Sequence, residues 1–384
     1  MSQNALTVTL KVKAGQGDTL RALLCEIGSD IRGNQYIRFA DLHTIHFSRF
    51  VMLDNYTRVL FTTTHDGPVD EHLQEFIDKA PLAVETIFGK CEGFPVTTGA
   101  DFARDFKQWI GDNSTPANVF FKAYPGQSVN AVYDTIDLRE KIEALLNTPQ
   151  AEPLVALIAQ YPIIPPKPNP ILTAVSGVVG TVLGKIVPLI LSFIGPKISQ
   201  ERTTEASEKV HALDNDSLYS LTERESIVQN ELTIISKIRP ELLPNLKNVL
   251  RLLEFGCELP GGDGTLSGVS TIHFARWVII DGGTNLLFES NYDGIWESYI
   301  GEFIDRAYTG LDAIWGCCEK YPVRGARDAQ AFKQSIIDHQ IRAEVFYSAY
   351  PHNSVKNILN DLAIGQMIRK VLNTQAGEEF FRRL

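Results

Sequence analysis

The sequence predicts an α+β protein built from two similar halves, and three observations support this prediction. The residues TIHFSRFV at 44–51 return as TIHFARWV at 271–278, an offset of 227 residues (273 minus 46). Both copies stand in the same order of strand and helix patterns, and an apolar run at 171–195 separates them. A duplication of this kind predicts two domains that pack about a pseudo-two-fold axis.

The first half opens with strict alternation of apolar and polar residues over 6–13, which is typical of a strand with one buried face. Leucine and isoleucine at helical spacing over 20–27 then predict a helix. The remaining predicted elements are a hairpin over 44–53 and 58–63, a helix over 69–88 with a break at Pro81, a helix over 102–110, a strand over 119–122 and a helix over 129–146.

The second half repeats this order. Its predicted elements are a strand over 232–238, a helix over 243–253, a hairpin over 271–281 and 285–290, helices over 295–314 and 329–337, a strand over 343–348 and a helix over 355–372. Without the extra helix, each half is a βαββαβ unit of the ferredoxin-like type. The sequence thus predicts tandem ferredoxin-like repeats at 1–150 and 231–384, with an insertion at 151–230.

Two such units whose sheets face each other resemble the dimeric α/β-barrel superfamily. That superfamily includes dye-decolorising peroxidases, chlorite dismutase-like haem proteins and antibiotic-monooxygenase-like enzymes. The GxxDG signature of the peroxidases is matched in part by SNYDG at 290–294 and TTHDG at 63–67, which keep the Asp-Gly but not the first glycine. The resemblance implies a pseudo-dimeric α/β barrel and a haem-dependent, peroxidase-like oxidoreductase acting on a small apolar or lipid-like substrate.

The histidines of the repeated segment are the first candidates for a haem site. Imidazole binds iron and titrates near neutrality, so His46 and His273 are predicted haem ligands or general bases, the alternative being structural histidines. Strand alternation places His46 on the same face as Phe50. The second half adds His339 at a helix end, so His273 and His339 are the candidate metal ligands of that half.

Two arginines, Arg49 and Arg276, follow these histidines by three residues, inside otherwise apolar strands. A buried charge needs a partner, and the expected partners are Asp66 and Asp293 at the end of the adjacent strand. As catalytic groups, these residues would polarise a peroxide or anchor a substrate carboxylate. As structural pairs, they would fix the loop to the sheet.

Composition excludes other classes. The 384 residues are 44% hydrophobic and 21% charged, which is typical of a globular protein. A net charge of −10 and a pI near 5.4 argue against nucleic acid as a partner. The five cysteines form no CxxC pair, and no secretory signal pattern opens the sequence. We therefore expect an intracellular protein, cytoplasmic or peripherally associated with a membrane.

The insertion leaves several alternatives open. A proline-rich stretch at 162–170 precedes the apolar run at 171–195, which only Lys185 and Pro188 interrupt. The run fits membrane contact, an arm buried in a homo-oligomer, or a core segment. For function, the haem peroxidase has two alternatives: a cofactor-free ligand-binding or monooxygenase-like barrel, and a non-enzymatic, membrane-associated structural or assembly protein.

Overall fold

A computed structural model describes residues 2–96, 99–147, 228–258 and 264–372. The apolar run at 171–195 and most of the insertion lie outside the described residues, so the predictions made for them stay predictions. The α+β class is confirmed, because the described residues form two four-stranded antiparallel sheets and several helices. No described helix is both long and apolar enough to cross a lipid bilayer.

The first sheet has the strand order β1-β3-β2-β8 and the second has the order β4-β6-β7-β5. The strands are β1 (Gln3–Lys11), β2 (Ile45–Leu53), β3 (Arg58–Asp66), β4 (Val119–Lys122), β5 (Gln229–Lys237), β6 (Ile272–Ile280), β7 (Asn285–Asp293) and β8 (Val345–Ser348).

The helices follow the predicted order in both halves. In the first half they are α1 (Gly17–Ser29), α2 (Val69–Lys79), α3 (Pro81–Thr86), α4 (Phe102–Asp112) and α5 (Val129–Leu146). In the second half they are α6 (Leu243–Glu258), α7 (Trp296–Trp315), α8 (Ala329–His339) and α9 (Val355–Leu372). The predicted break at Pro81 is confirmed, since Pro81 is the first residue of α3, where its missing N–H is tolerated.

The prediction that each half forms its own sheet is wrong, because the halves exchange their last strands. Strand β4 of the first half pairs with β6, and β8 of the second half pairs with β2. Before each exchange, the chain first touches the edge of its own sheet. The N–H of Thr115 donates to the Thr7 carbonyl, and the N–H of Ile341 donates to the Thr233 carbonyl, both at 2.9 Å.

The predicted closed barrel is likewise not found among the described residues, whose two sheets are separate ladders linked at these corners by isolated bridges. The side chains between the two facing sheets form three successive layers. One end is an apolar cluster formed by Val51, Leu53, Leu60, Val278, Ile280 and Leu287. The middle layer contains Arg49 and Arg276, and the other end contains His46 and His273. The two sheets therefore bury both charge and imidazole between them.

Candidate functional site

Both repeated histidines lie at β-bulges. The register between β2 and β3 shifts at His46, and that between β6 and β7 shifts at His273. The extra residue turns each ring into the space between the sheets. The ring centroids of His46 and Phe274 are 5.3 Å apart, and those of His273 and Phe47 are 5.4 Å apart.

The bulge places His46 on the opposite face of the sheet from the one predicted. Strict alternation places His46 beside Phe50, but Phe50 stacks on Phe61 at 4.6 Å on the opposite, helix-covered face. One inserted residue changes the side of the sheet that a side chain faces. His46 therefore shares the inter-sheet space with Phe47, which lies 5.8 Å from Phe274 of the second half.

An aspartate and a helix N-terminus hold His46. Its Nε2 lies 3.0 Å from Oδ1 of Asp66, and the other carboxylate oxygen accepts the N–H of Val129 at 2.7 Å. Val129 is the first residue of α5, so the helix dipole stabilises the carboxylate as an anion. Gly67 follows with a φ of 74°, the left-handed turn that glycine takes most readily.

His273 has the same environment in the second half. Its Nε2 lies 2.8 Å from Oδ1 of Asp293, whose Oδ2 accepts the N–H of Val355, the first residue of α9, at 2.7 Å. A carboxylate only accepts hydrogen bonds, so both histidines donate through Nε2. Each Nδ1 is left to face the other half of the molecule.

Two tyrosines delivered by the exchanged strands join the halves. The hydroxyl of Tyr350 lies 2.7 Å from Nδ1 of His46, and that of Tyr124 lies 2.9 Å from Nδ1 of His273. The two hydroxyl oxygens are 2.8 Å apart. We call the resulting continuous set the His–Tyr network; in order it consists of Asp66, His46, Tyr350, Tyr124, His273 and Asp293.

The centre of this network is sealed from solvent. His46 and His273 are 0% exposed, and Tyr124 and Tyr350 are 2% exposed. Burial raises the pKa of both tyrosines well above its usual value, and the charge of Asp293 beside Tyr124 and of Asp66 beside Tyr350 acts in the same direction. Both phenols therefore keep their protons at neutral pH.

Arg49 was expected to pair with Asp66, but it does not. Its guanidinium crosses to the other sheet, where it donates to Glu231 at 2.9 Å and to the carbonyl of Ser290 at 3.0 Å. A further carboxylate, that of Glu289, lies 3.9 Å from its Nε. The expectation is wrong because one oxygen of Asp66 is bonded to His46 and the other to the N–H of Val129.

Arg276 is placed in the same way in the opposite direction, and its expected partner Asp293 is likewise taken by a histidine. It donates to the carbonyl of Leu6 at 2.8 Å and to the hydroxyl of Thr64 at 2.7 Å. Its Nε lies 3.5 Å from Glu289. Burial, together with the nearby charge of Arg49, lowers the pKa of Arg276 to about 10, so it remains a cation at neutral pH.

A second histidine pair lies on the helix-covered side of the first sheet. The rings of His65 and His72 stack at 4.1 Å, and Nε2 of His72 lies 3.0 Å from the hydroxyl of Thr63. Burial lowers the pKa of His65 to about 3, and that of His72 well below its usual value. The sequence analysis did not predict this pair, although His72 lies in the predicted helix over 69–88, only seven residues after His65.

The residues present do not fit haem at the predicted strand ligands. An imidazole that binds iron needs a free ring nitrogen, but both nitrogens of His46 and His273 are hydrogen-bonded within the protein. His339 ends α8, where its Nδ1 lies 2.7 Å from the Ser335 carbonyl, apart from the His–Tyr network. Across the described ranges, no group of three or more metal-ligating side chains is arranged around a common point.

A cavity of about 330 Å³ adjoins the network at Tyr350. Its wall is mainly apolar and aromatic, with Tyr133 and Tyr347 among its members, and Arg32 at its edge. None of the described side chains that line it is acidic. The cavity is therefore a small apolar pocket with one permanent positive charge.

In comparisons with known proteins, no family model matches the chain, and neither a curated protein nor a solved structure does. The function is therefore argued from the site alone.

Proposed function

We propose that the protein binds a small, largely apolar carboxylic acid without a cofactor, in the cavity beside Tyr350. The observation that carries the proposal is the composition of that cavity. Its volume of about 330 Å³ is at the lower end of the range of small-molecule sites. Mainly apolar walls with a small number of polar groups are the usual form of such sites.

The charge of Arg32 selects the class of ligand. Arg32 is solvent-exposed, and no carboxylate of the described residues forms an ion pair with it. It lies near enough to the hydroxyls of Tyr133 and Tyr347 to oppose the rise in pKa that burial causes there. A guanidinium binds a carboxylate through two parallel hydrogen bonds, so an acid is favoured over a neutral molecule of the same shape.

The apolar residues of the wall select the body of the ligand. Ile31 and Ile136 line the cavity together with the two tyrosine rings. Tyr347 is held rigidly, since its ring stacks on that of Phe39 at 4.6 Å. A rigid aromatic wall favours a single aromatic ring or a short alkyl chain. This proposal retains the small apolar partner predicted from the sequence.

Titration of the labelled protein with benzoate and with benzyl alcohol, followed by NMR, tests the proposal. We expect benzoate to shift the resonances of Tyr133 and Tyr347, and to bind at least about tenfold more tightly than the alcohol, a difference of about 1.4 kcal/mol. Arg32→Gln should abolish this preference. Arg38→Gln is the matched control, because Arg38 is an exposed arginine of the same segment that pairs with Asp41 instead.

Two results would overturn the proposal. Benzoate and hexanoate that leave every cavity resonance unchanged would remove the ligand site. A stoichiometric Soret band in protein expressed with haem would show that the protein binds a cofactor. It would favour the haem peroxidase predicted from the sequence, and His339 would be the first candidate ligand to substitute.

A further inference from the structure

The central links of the His–Tyr network require more protons than neutral side chains supply. We infer that the network binds one additional proton, so that His46 and His273 share a single imidazolium charge. This inference concerns the protein without ligand and does not depend on the proposed cavity.

The count starts from four atoms and three links. The atoms are Nδ1 of His46, the hydroxyl oxygens of Tyr350 and Tyr124, and Nδ1 of His273, and consecutive atoms are 2.7, 2.8 and 2.9 Å apart. Each distance is that of a hydrogen bond, and each hydrogen bond contains one proton. Three links therefore contain three protons.

Neutral side chains supply only two. Each histidine has its proton on Nε2, facing an aspartate, so each Nδ1 is bare and the two phenols bring one proton each. If Tyr350 donates to His46 and Tyr124 donates to His273, two phenol oxygens face each other at 2.8 Å with no proton between them. Any other assignment leaves one of the remaining links empty.

One added proton completes every link. With His46 protonated on Nδ1, that nitrogen donates to Tyr350, Tyr350 donates to Tyr124, and Tyr124 donates to the bare Nδ1 of His273. All six groups are then satisfied, as buried polar groups require. The alternative, two imidazolium rings with one phenolate, has the same number of protons, but burial of both tyrosines disfavours the phenolate.

The surroundings favour this positive charge. Asp66 and Asp293 are anions held at the N-termini of α5 and α9, one beside each histidine. With one imidazolium between two carboxylates, the network has a net charge of −1. A second added proton would find no acceptor within the three links.

The pseudo-two-fold arrangement allows the charge to occupy either half. Movement from His46 to His273 transfers one proton along each link in the same direction: from Nδ1 to Tyr350, from Tyr350 to Tyr124, and from Tyr124 to Nδ1 of His273. No bond between heavy atoms changes, and nothing is oxidised or reduced. The network is thus a proton-transfer path between the halves.

Nitrogen NMR of the histidine rings tests the inference, because protonated and bare ring nitrogens have well-separated shifts. We expect three N–H protons on the four ring nitrogens of His46 and His273, with both Nδ1 shifts intermediate if the proton exchanges rapidly. His65 and His72 give the reference for neutral rings in the same spectrum, since burial lowers the pKa of both.

Tyr124→Phe provides the variant. It leaves one link, between Tyr350 and His46, which the phenol proton alone completes, so the count should fall from three N–H protons to two. Tyr299→Phe is the matched control and should leave three, because Tyr299 is a buried tyrosine that donates to Ser290 outside the network. If Tyr124→Phe does not fold, Tyr350→Phe makes the same test.

The wild-type spectrum is decisive even without variants. Two N–H protons on His46 and His273 together, or four, would overturn the inference. A count of three that Tyr124→Phe leaves unchanged would also overturn it, since the extra proton would then not belong to the links.

Discussion

The two halves build the His–Tyr network from the same residue types, but they differ on the opposite side of the same strands. Where the first half stacks His65 on His72 at 4.1 Å, the second stacks Tyr292 on Tyr299 at 3.9 Å, each 227 residues later (292 minus 65). A stack lies within one half, whereas the network crosses between both. The repeat is therefore symmetric in the His–Tyr network, which joins the halves, and differs in the stacked pair, which lies within each half.

The arginine layer, which also joins the halves, is not symmetric. Glu289 lies between Arg49 and Arg276, and the equivalent position of the first half is Thr62, whose hydroxyl donates to Glu289 at 3.1 Å. A second glutamate at position 62 would place two buried carboxylates side by side, which is costly. Glu289 therefore lies beside both arginines, and Glu231 supplies a second carboxylate beside Arg49.

Removing a buried arginine should lower the free energy of unfolding more than any other substitution considered below. Arg276→Met leaves Glu289 without its closest cation, together with the backbone and threonine oxygens that Arg276 contacts. We expect a loss of about 3–5 kcal/mol in the free energy of unfolding, measured with urea.

Arg58→Met is the control for that measurement. Arg58 also crosses between the halves, to Asp281, but the pair is partly exposed and should contribute at most about 1 kcal/mol. Equal losses for the two variants would contradict the claim that the buried layer, more than surface pairing, joins the halves.

Acid should distinguish the two stacked pairs. Burial lowers the pKa of His65 to about 3 and that of His72 well below its usual value, so between pH 3 and 6.5 the unfolded chain binds more protons than the folded one. Stability is complete above about pH 6.5 and is lost as the pH falls, by about 1.4 kcal/mol per pH unit for each imidazole. At pH 5, the loss is about 2 kcal/mol for His65, and His72 adds a loss in the same direction.

The tyrosine pair of the second half has no such titration. Replacing His65 and His72 together by tyrosine should therefore flatten the dependence of unfolding free energy on pH between about pH 7 and pH 5. His43→Tyr, which removes an exposed histidine, should leave the slope unchanged. An unaltered slope in the double variant would mean that the buried histidines do not resist protonation.

Local sequence patterns predict much of the secondary structure, but they do not predict the strand exchange. Periodicity and Pro81 predict the order of elements in both halves. The exchange escapes this reasoning because the two acceptor strands, β2 and β6, are nearly identical in sequence, so β4 matches either edge equally well. Only the path of the chain around the corners, through Thr115 and Ile341, decides between them.

The site was predictable in part. The repeat draws attention to His46 and His273, but a bulge inserts a residue that strict alternation does not anticipate, so the predicted face is wrong. The tyrosines were missed although Ala-Tyr-Pro recurs at 123–125 and 349–351, the signal that identifies them. Nothing local indicates that each tyrosine bonds to the histidine of the other half.

Tyr124 and Tyr350 act as one link between the halves, and the strength of this link can be measured. A double-mutant cycle with Tyr124→Phe and Tyr350→Phe measures it through the free energy of unfolding. Each single variant removes the same hydrogen bond of 2.8 Å, so we expect the double variant to lose less stability than the sum of the two single losses, with a coupling of about 1–2 kcal/mol. Losses that add to within about 0.5 kcal/mol would contradict it.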